Sequence, residues 1–332
     1  MPKIDRQTSK RVIGVVLILV SMLVVLGYST IGNPLSANAI TPLLQPAATL
    51  PSNLSITLRH TPSGTAQLEW NAKNQSLTVT ISMTGLAPKS THPANINKGS
   101  CAGTSDNGDL APLTPLAPRA DQAGGSPAPP PGGGGKINPL SGFGMRGDMW
   151  VSKTVLTAAT VPALKSGIPA SQWSIEIHSG QNIANPTEET VISCGDIVNF
   201  DTSTKANQFV ETLLGSSQDN NQATNGVATF AVASNQLTVT ITMGNLKAGS
   251  KHIAHIHKGS CRSQGDVAYP LNPVVADKTG TGTSTTIIKG VSSIASGWYV
   301  NVHQAATAAD LQASQVGFDP IACGDVVGPQ EG

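Results

Sequence analysis

The sequence predicts an all-β protein: two tandem Greek-key sandwich or barrel domains behind an N-terminal membrane-targeting helix. Three observations predict it. Sliding the chain against itself by 160 positions aligns Leu77–Cys101 with Leu237–Cys261, with 15 of 25 residues identical. Within that repeat, Leu77-Thr78-Val79-Thr80-Ile81 and Leu237-Thr238-Val239-Thr240-Ile241 alternate apolar and hydroxyl residues at the period of a half-buried strand. Ahead of both copies, Lys3, Arg6, Lys10 and Arg11 precede the apolar run from Val12 to Leu26.

Taken in chain order, the first element is that leader. Basic residues before an apolar core form an export signal, and they hold the N-terminus on the inner side of the membrane. The run has the length of a signal-peptide core and, extended to Ile31, approaches the roughly 20 residues that span a bilayer. Ala37-Asn38-Ala39 offers a small-x-small cleavage site. Residues 1–39 therefore read as a cleaved signal peptide or a retained anchor, and the chain as extracytoplasmic, secreted or membrane-anchored.

The second element, residues 50–200, and the third, 201–328, share more than the strand text. Trp173-Ser174-Ile175-Glu176-Ile177-His178 matches Trp298-Tyr299-Val300-Asn301-Val302-His303, and Cys194-Gly195-Asp196 matches Cys323-Gly324-Asp325. Short Val/Thr/Ile strands between Gly, Asn, Ser and Pro read as a sandwich or barrel. The first copy is longer because of 111–136, a Pro/Gly/Ala insertion that reads as a disordered loop. A formal net charge of +1, with no Lys/Arg cluster beyond the N-terminus, excludes nucleic acid as the expected partner. No feature specifies a protein partner.

Each copy holds two cysteines at corresponding places, Cys101 with Cys194 and Cys261 with Cys323. An even count paired by repeat in an exported chain predicts one disulfide per domain. Loop closure then contributes roughly 3–4 kcal/mol for each. The rival reading, a thiolate metal site, lacks any Cys-x-x-Cys spacing.

Three of the seven histidines crowd Lys251–Gly259. His255 and His257, two apart on a predicted strand, project to one face, which is how a strand presents two nitrogens to one metal. His303, at the end of another apolar strand, is the natural third ligand, and His252 has the opposite parity. Paired strand histidines can instead be satisfied by hydrogen bonds within a β surface. In the first copy His255 and His257 are replaced by Asn95 and Asn97, poor ligands for soft or borderline metals, while His92 and His178 remain. A metal site, if the chain has one, is therefore expected in the second copy alone.

The text His255-Ile256-His257-Lys258-Gly259, Gly265-Asp266-Val267-Ala268-Tyr269-Pro270-Leu271 and Trp298–His303 resembles the CHRD domain. The same stretch is similar to copper-zinc superoxide dismutase, with Asn272-Pro273 and Ala322-Cys323-Gly324 in the corresponding places. The resemblance implies copper ligands at His255, His257 and His303, a Cys261–Cys323 disulfide, and Asp310 as a residue steadying the ligands from behind. It also exposes departures. Pro270 stands where that family has its metal-bridging histidine, the remaining zinc ligands are missing, and Pro320 stands where it has an arginine that guides the anion. A zinc site is not supported, and fast dismutation lacks its proton donor and its steering charge. The resemblance thus implies an extracytoplasmic binding module that holds copper. Its alternatives are a copper-only dismutase and a structural or adhesive module without metal.

Overall fold

The computed structural model describes residues 50–103, 108–119 and 148–327. The expected leader, 1–39, lies outside the described residues, as does the part of the insertion from 120 to 136. Among the described residues no helix is long and apolar enough to cross a membrane.

The chain is all-β, in two eight-stranded, nearly closed antiparallel sheets. The first contains β2 (Ser63–Asn71), β3 (Ser76–Thr84), β4 (His92–Lys98), β5 (Asp109–Pro118), β6 (Trp150–Thr157), β7 (Trp173–His178), β8 (Val191–Ile197) and β9 (Gln208–Leu214). Their order is β8-β7-β4-β5-β6-β3-β2-β9. The second contains β1 (Asn53–Arg59), β10 (Asn225–Ala233), β11 (Gln236–Gly244), β12 (Lys251–Ser260), β13 (Ser263–Val275), β14 (Gly282–Lys289), β15 (Trp298–His303) and β16 (Pro320–Val326). Their order is β13-β12-β15-β16-β1-β10-β11-β14. Between β15 and β16 run two short helices, α1 (Ala308–Ala313) and α2 (Gln315–Phe318).

The alternation that predicts strands also decides which side chains enter the two cores. In β3 it sends Leu77, Val79, Ile81 and Met83 inward, and in β11 Leu237, Val239, Ile241 and Met243. The outward threonines form a polar ladder, with Thr240 and Thr285 hydroxyls 3.1 Å apart. Fully burying each large apolar side chain contributes roughly 1.5–3 kcal/mol.

The two sheets exchange strands. β1 pairs along its whole length with β10, from Asn53 opposite Ala231 to Arg59 opposite Asn225, so a strand from the start of the body completes the sheet near its end. Reciprocally, β9 pairs with β2, from Gly64 opposite Leu214 to Trp70 opposite Gln208. Each exchanged strand supplies core side chains to its host: Ile56 and Leu58 join Phe230 and Ile321, while Val210 and Leu214 join Leu68 and Ile192. The sheets are further tied by Gln315 Nε2, which donates to Thr91 O and Ser179 O, and by Ser179 Oγ, which donates to the buried Asp319.

Both expected disulfides are formed, Cys101–Cys194 and Cys261–Cys323, each with Cα atoms 5.8 Å apart, and no cysteine is free. One expectation fails. Ala111–Pro118, which composition assigns to the disordered insertion, belongs to β5 and pairs with β4 from Asn97 opposite Asp109 to His92 opposite Leu116. The cause is the placing of the prolines. Ala111, Leu113 and Leu116 face the core, Pro112 and Pro115 face solvent, and register shifts along β4 and β5 accommodate residues that cannot donate.

Candidate metal centre

β12 and β15 lie side by side, with His255 opposite Asn301 and His257 opposite Tyr299. Strand parity sends Ala254, Ile256, Val300 and Val302 into the apolar core and leaves His255, His257, Tyr299, Asn301 and His303 on the other face. The sequence-predicted ligands thus come together: the available nitrogens of His255, His257 and His303 all lie within 4.8 Å of one another. His257 and His303 are buried, and His255 is the most accessible of the three.

Hydrogen bonding decides which nitrogen each ring offers. His257 Nδ1 donates to Gly265 O at 2.9 Å and His303 Nδ1 donates to Phe318 O at 2.7 Å. In a neutral imidazole the second nitrogen then carries a lone pair, which fixes Nε2 as the ligand atom of both. Those two Nε2 atoms, together with His255 Nδ1, are buried and have no hydrogen-bond partner. The alternative in which these rings satisfy one another as a polar β surface therefore leaves three buried ring nitrogens unpartnered, at a cost of about 1–3 kcal/mol each.

The rings are also neutral. Burial pushes His303 down to about 3, with the neighbouring His255 and His257 adding to the shift, and burial with His257 pushes His255 down to about 4. Burial lowers His257 as well. Three unprotonated imidazoles suit a borderline divalent ion such as Cu(II) or Zn(II). Nitrogens bonded at about 2.0–2.1 Å to one ion stand about 3.3–4 Å apart, so the cluster fits such an ion after a contraction of about 1 Å.

The CHRD family model matches residues 209–310. The chain contains a CHRD domain. Its match opens within β9 and runs through β15 into α1, and so takes in all three histidines and Cys261. It ends before β16, where Cys323 closes the disulfide. Comparison with curated proteins found no match.

Within the CHRD domain the structure corrects one role. Asp310, expected to steady the ligands, instead caps α1: its exposed carboxylate accepts from Thr307 N and Thr307 Oγ1, and Thr307 Oγ1 accepts from Asp310 N. This reciprocal capping box uses the carboxylate locally because a Thr-x-x-Asp start satisfies two otherwise orphaned helix donors. The steadying partners are the backbone carbonyls of Gly265 and Phe318. Reasoning from the sequence also missed Tyr299 and Asn301. The Tyr299 ring stacks on His257 with centroids 5.0 Å apart, and the buried Asn301 amide has no partner at either atom. Both share the parity of His303, and that signal was available in the sequence.

Proposed function

We propose that this protein is an extracytoplasmic CHRD module that binds one copper ion through His255, His257 and His303. The observation that carries this reading is the convergence of three buried, unpartnered imidazole nitrogens, two of them oriented by backbone carbonyls. Copper is favoured over zinc on two grounds. Among first-row divalent ions a given nitrogen site holds Cu(II) most tightly, and the His-x-His strand followed by a later histidine is similar to the copper half of the dismutase site. Two disulfides and no free cysteine support an oxidising compartment. The leader supports export, with the membrane as its partner if it is retained.

The same register that assembles the ligands argues for holding the ion rather than for rapid turnover. Pro270 lies opposite His255 on β13, and Pro320 lies opposite His303 on β16. At both positions a proline supplies neither a proton nor a charge, so the module lacks the bridging imidazole and the guiding guanidinium that diffusion-limited dismutation uses. The test is copper titration of the full-length chain, followed by electron paramagnetic resonance and metal analysis. About one equivalent in a nitrogen-rich environment is expected, abolished by His255→Ala with His257→Ala. Unchanged uptake in that folded double variant would overturn the assignment.

A further inference from the structure

The positions of the first sheet that align with the histidine cluster are not blank. His178 aligns with His303 and keeps its arrangement: Nδ1 donates to Glu189 O at 2.6 Å, and Nε2 is buried without a partner. Glu176, aligned with Asn301, lies two residues before it on β7 and so shares its face. Asn97, aligned with His257, donates from Nδ2 to Glu176 Oε2, which leaves its Oδ1 buried and unpartnered. All three side chains line one cleft, and they are 5%, 9% and 8% exposed for His178, Glu176 and Asn97. Exposed Asp109, Glu189 and Asp219 line the same cleft.

The electrostatics of the cleft call for a cation. Among the described residues none of these carboxylates is in an ion pair, and the exposed Lys247 at the rim is no exception. Burial raises the Glu176 carboxyl, and the like charges of Asp219 and Asp109 raise it further, although His178 and Asn97 act the other way. Only the three-histidine group brings three ionisable ligands within 4.8 Å of one another among the described residues. In the cleft the inner donors are one carboxylate, one amide oxygen and one imidazole. Oxygen-rich sets suit harder divalent ions, and hard ions keep several waters when protein ligands are few.

We propose that this cleft is a second metal site, taking a hard divalent cation of the manganese class on Glu176, Asn97 Oδ1 and His178 Nε2. The two sheets then sort metals by donor type: three nitrogens in one, one nitrogen with oxygens in the other. This site stands apart from the copper reading, and the experiment separates them. Mn2+ is titrated into the full-length chain, and into the chain carrying His255→Ala with His257→Ala, while the resonance of free Mn2+ is followed. About one equivalent is expected in both, with affinity reduced roughly tenfold or more by Glu176→Gln and by His178→Ala. Glu176→Gln keeps the shape of the buried side chain, so it decides the matter if His178→Ala fails to fold. Absence of Mn2+ binding by the folded parent overturns the site, as does binding unaffected by Glu176→Gln or binding lost with the three-histidine cluster.

Discussion

At the scale of single residues, parity sorts the histidines. His255 and His257 share a face with His303 and reach the cluster, whereas His252, of opposite parity, braces the fold. Its Nδ1 donates to His303 O at 3.0 Å, and Ser250 Oγ donates to its Nε2 at 2.8 Å. In the first sheet His92 repeats this: Nδ1 donates to His178 O at 2.9 Å and Ser90 Oγ donates to Nε2 at 2.6 Å. That bracing gives His92 a structural role that needs no histidine at Asn95 or Asn97. The role was illegible in the sequence, because the carbonyl partners lie 51 and 86 residues away. His60 is a further structural histidine, half-buried, its Nε2 3.0 Å from Ile192 O beside the crossing between β1 and β2. Burial pushes it down to about 4 from 6.5. Below pH 6.5 the unfolded chain therefore takes up a proton that the folded chain refuses until about pH 4. The contribution of His60 is complete above pH 6.5 and is lost as the pH falls toward 4. Asp319, whose carboxyl burial pushes well above the usual carboxylate range, acts in the opposite sense, so the comparison must be with a variant. Urea midpoints of the parent and His60→Gln at pH 7, 5.5 and 4.5 are expected to draw together on acidification. A constant gap would remove His60 from the linkage.

At the scale of elements, β3, β11, β12 and β15 were legible because one face of each is apolar and the other hydroxyl-bearing or histidine-bearing. β5 was not, since its prolines weigh more in composition than the inward Ala111, Leu113 and Leu116. The Cys-Gly-Asp text was legible as a disulfide position, but not as a crossing point. A Cβ placed on Gly195 would stand 2.4 Å from Leu213 O of β9, and one on Gly324 would stand 2.5 Å from Thr57 O of β1. In both sheets the glycine thus lets the exchanged strand approach, and the obstructing atom is backbone that cannot swing aside. Gly324→Ala is expected to cost about 1–3 kcal/mol through overpacking, read as a lower denaturant midpoint. Ala at Gly215, whose added Cβ meets nothing within 4 Å and whose φ, like that of Gly324, is not positive, controls for the loss of a glycine alone. A midpoint lowered no further by Gly324→Ala than by Gly215→Ala would show that close approach is not the reason for the glycine.

At the scale of the whole molecule, the exchange of β1 and β9 is the feature the sequence conceals. Each reads as the first strand of its own copy, and alternation reports which face is buried without naming the neighbouring strand. The inward side chains give a physical reason for the choice. β9 turns Gln208 and Thr212 inward, and both find partners in the first sheet: Gln208 Oε1 accepts from Ile168 N at 2.7 Å, and Thr212 Oγ1 donates to Asp196 O at 2.7 Å. β1 turns Leu54, Ile56 and Leu58 toward an apolar host instead. Returning β9 to the second sheet would bury an amide and a hydroxyl away from those partners, at about 1–3 kcal/mol for each group left unpaired. The exposed register partners Ser55 and Thr229 make the arrangement testable. With both replaced by cysteine in the full-length chain, oxidation is expected to link residue 55 to residue 229 within a monomer, as mapped by mass spectrometry of non-reduced peptides. Covalent dimers carrying the same link would mean that the strands exchange between chains rather than within one. No link at all, with the native disulfides intact, would mean that β1 stays with the first sheet and that the exchange does not occur.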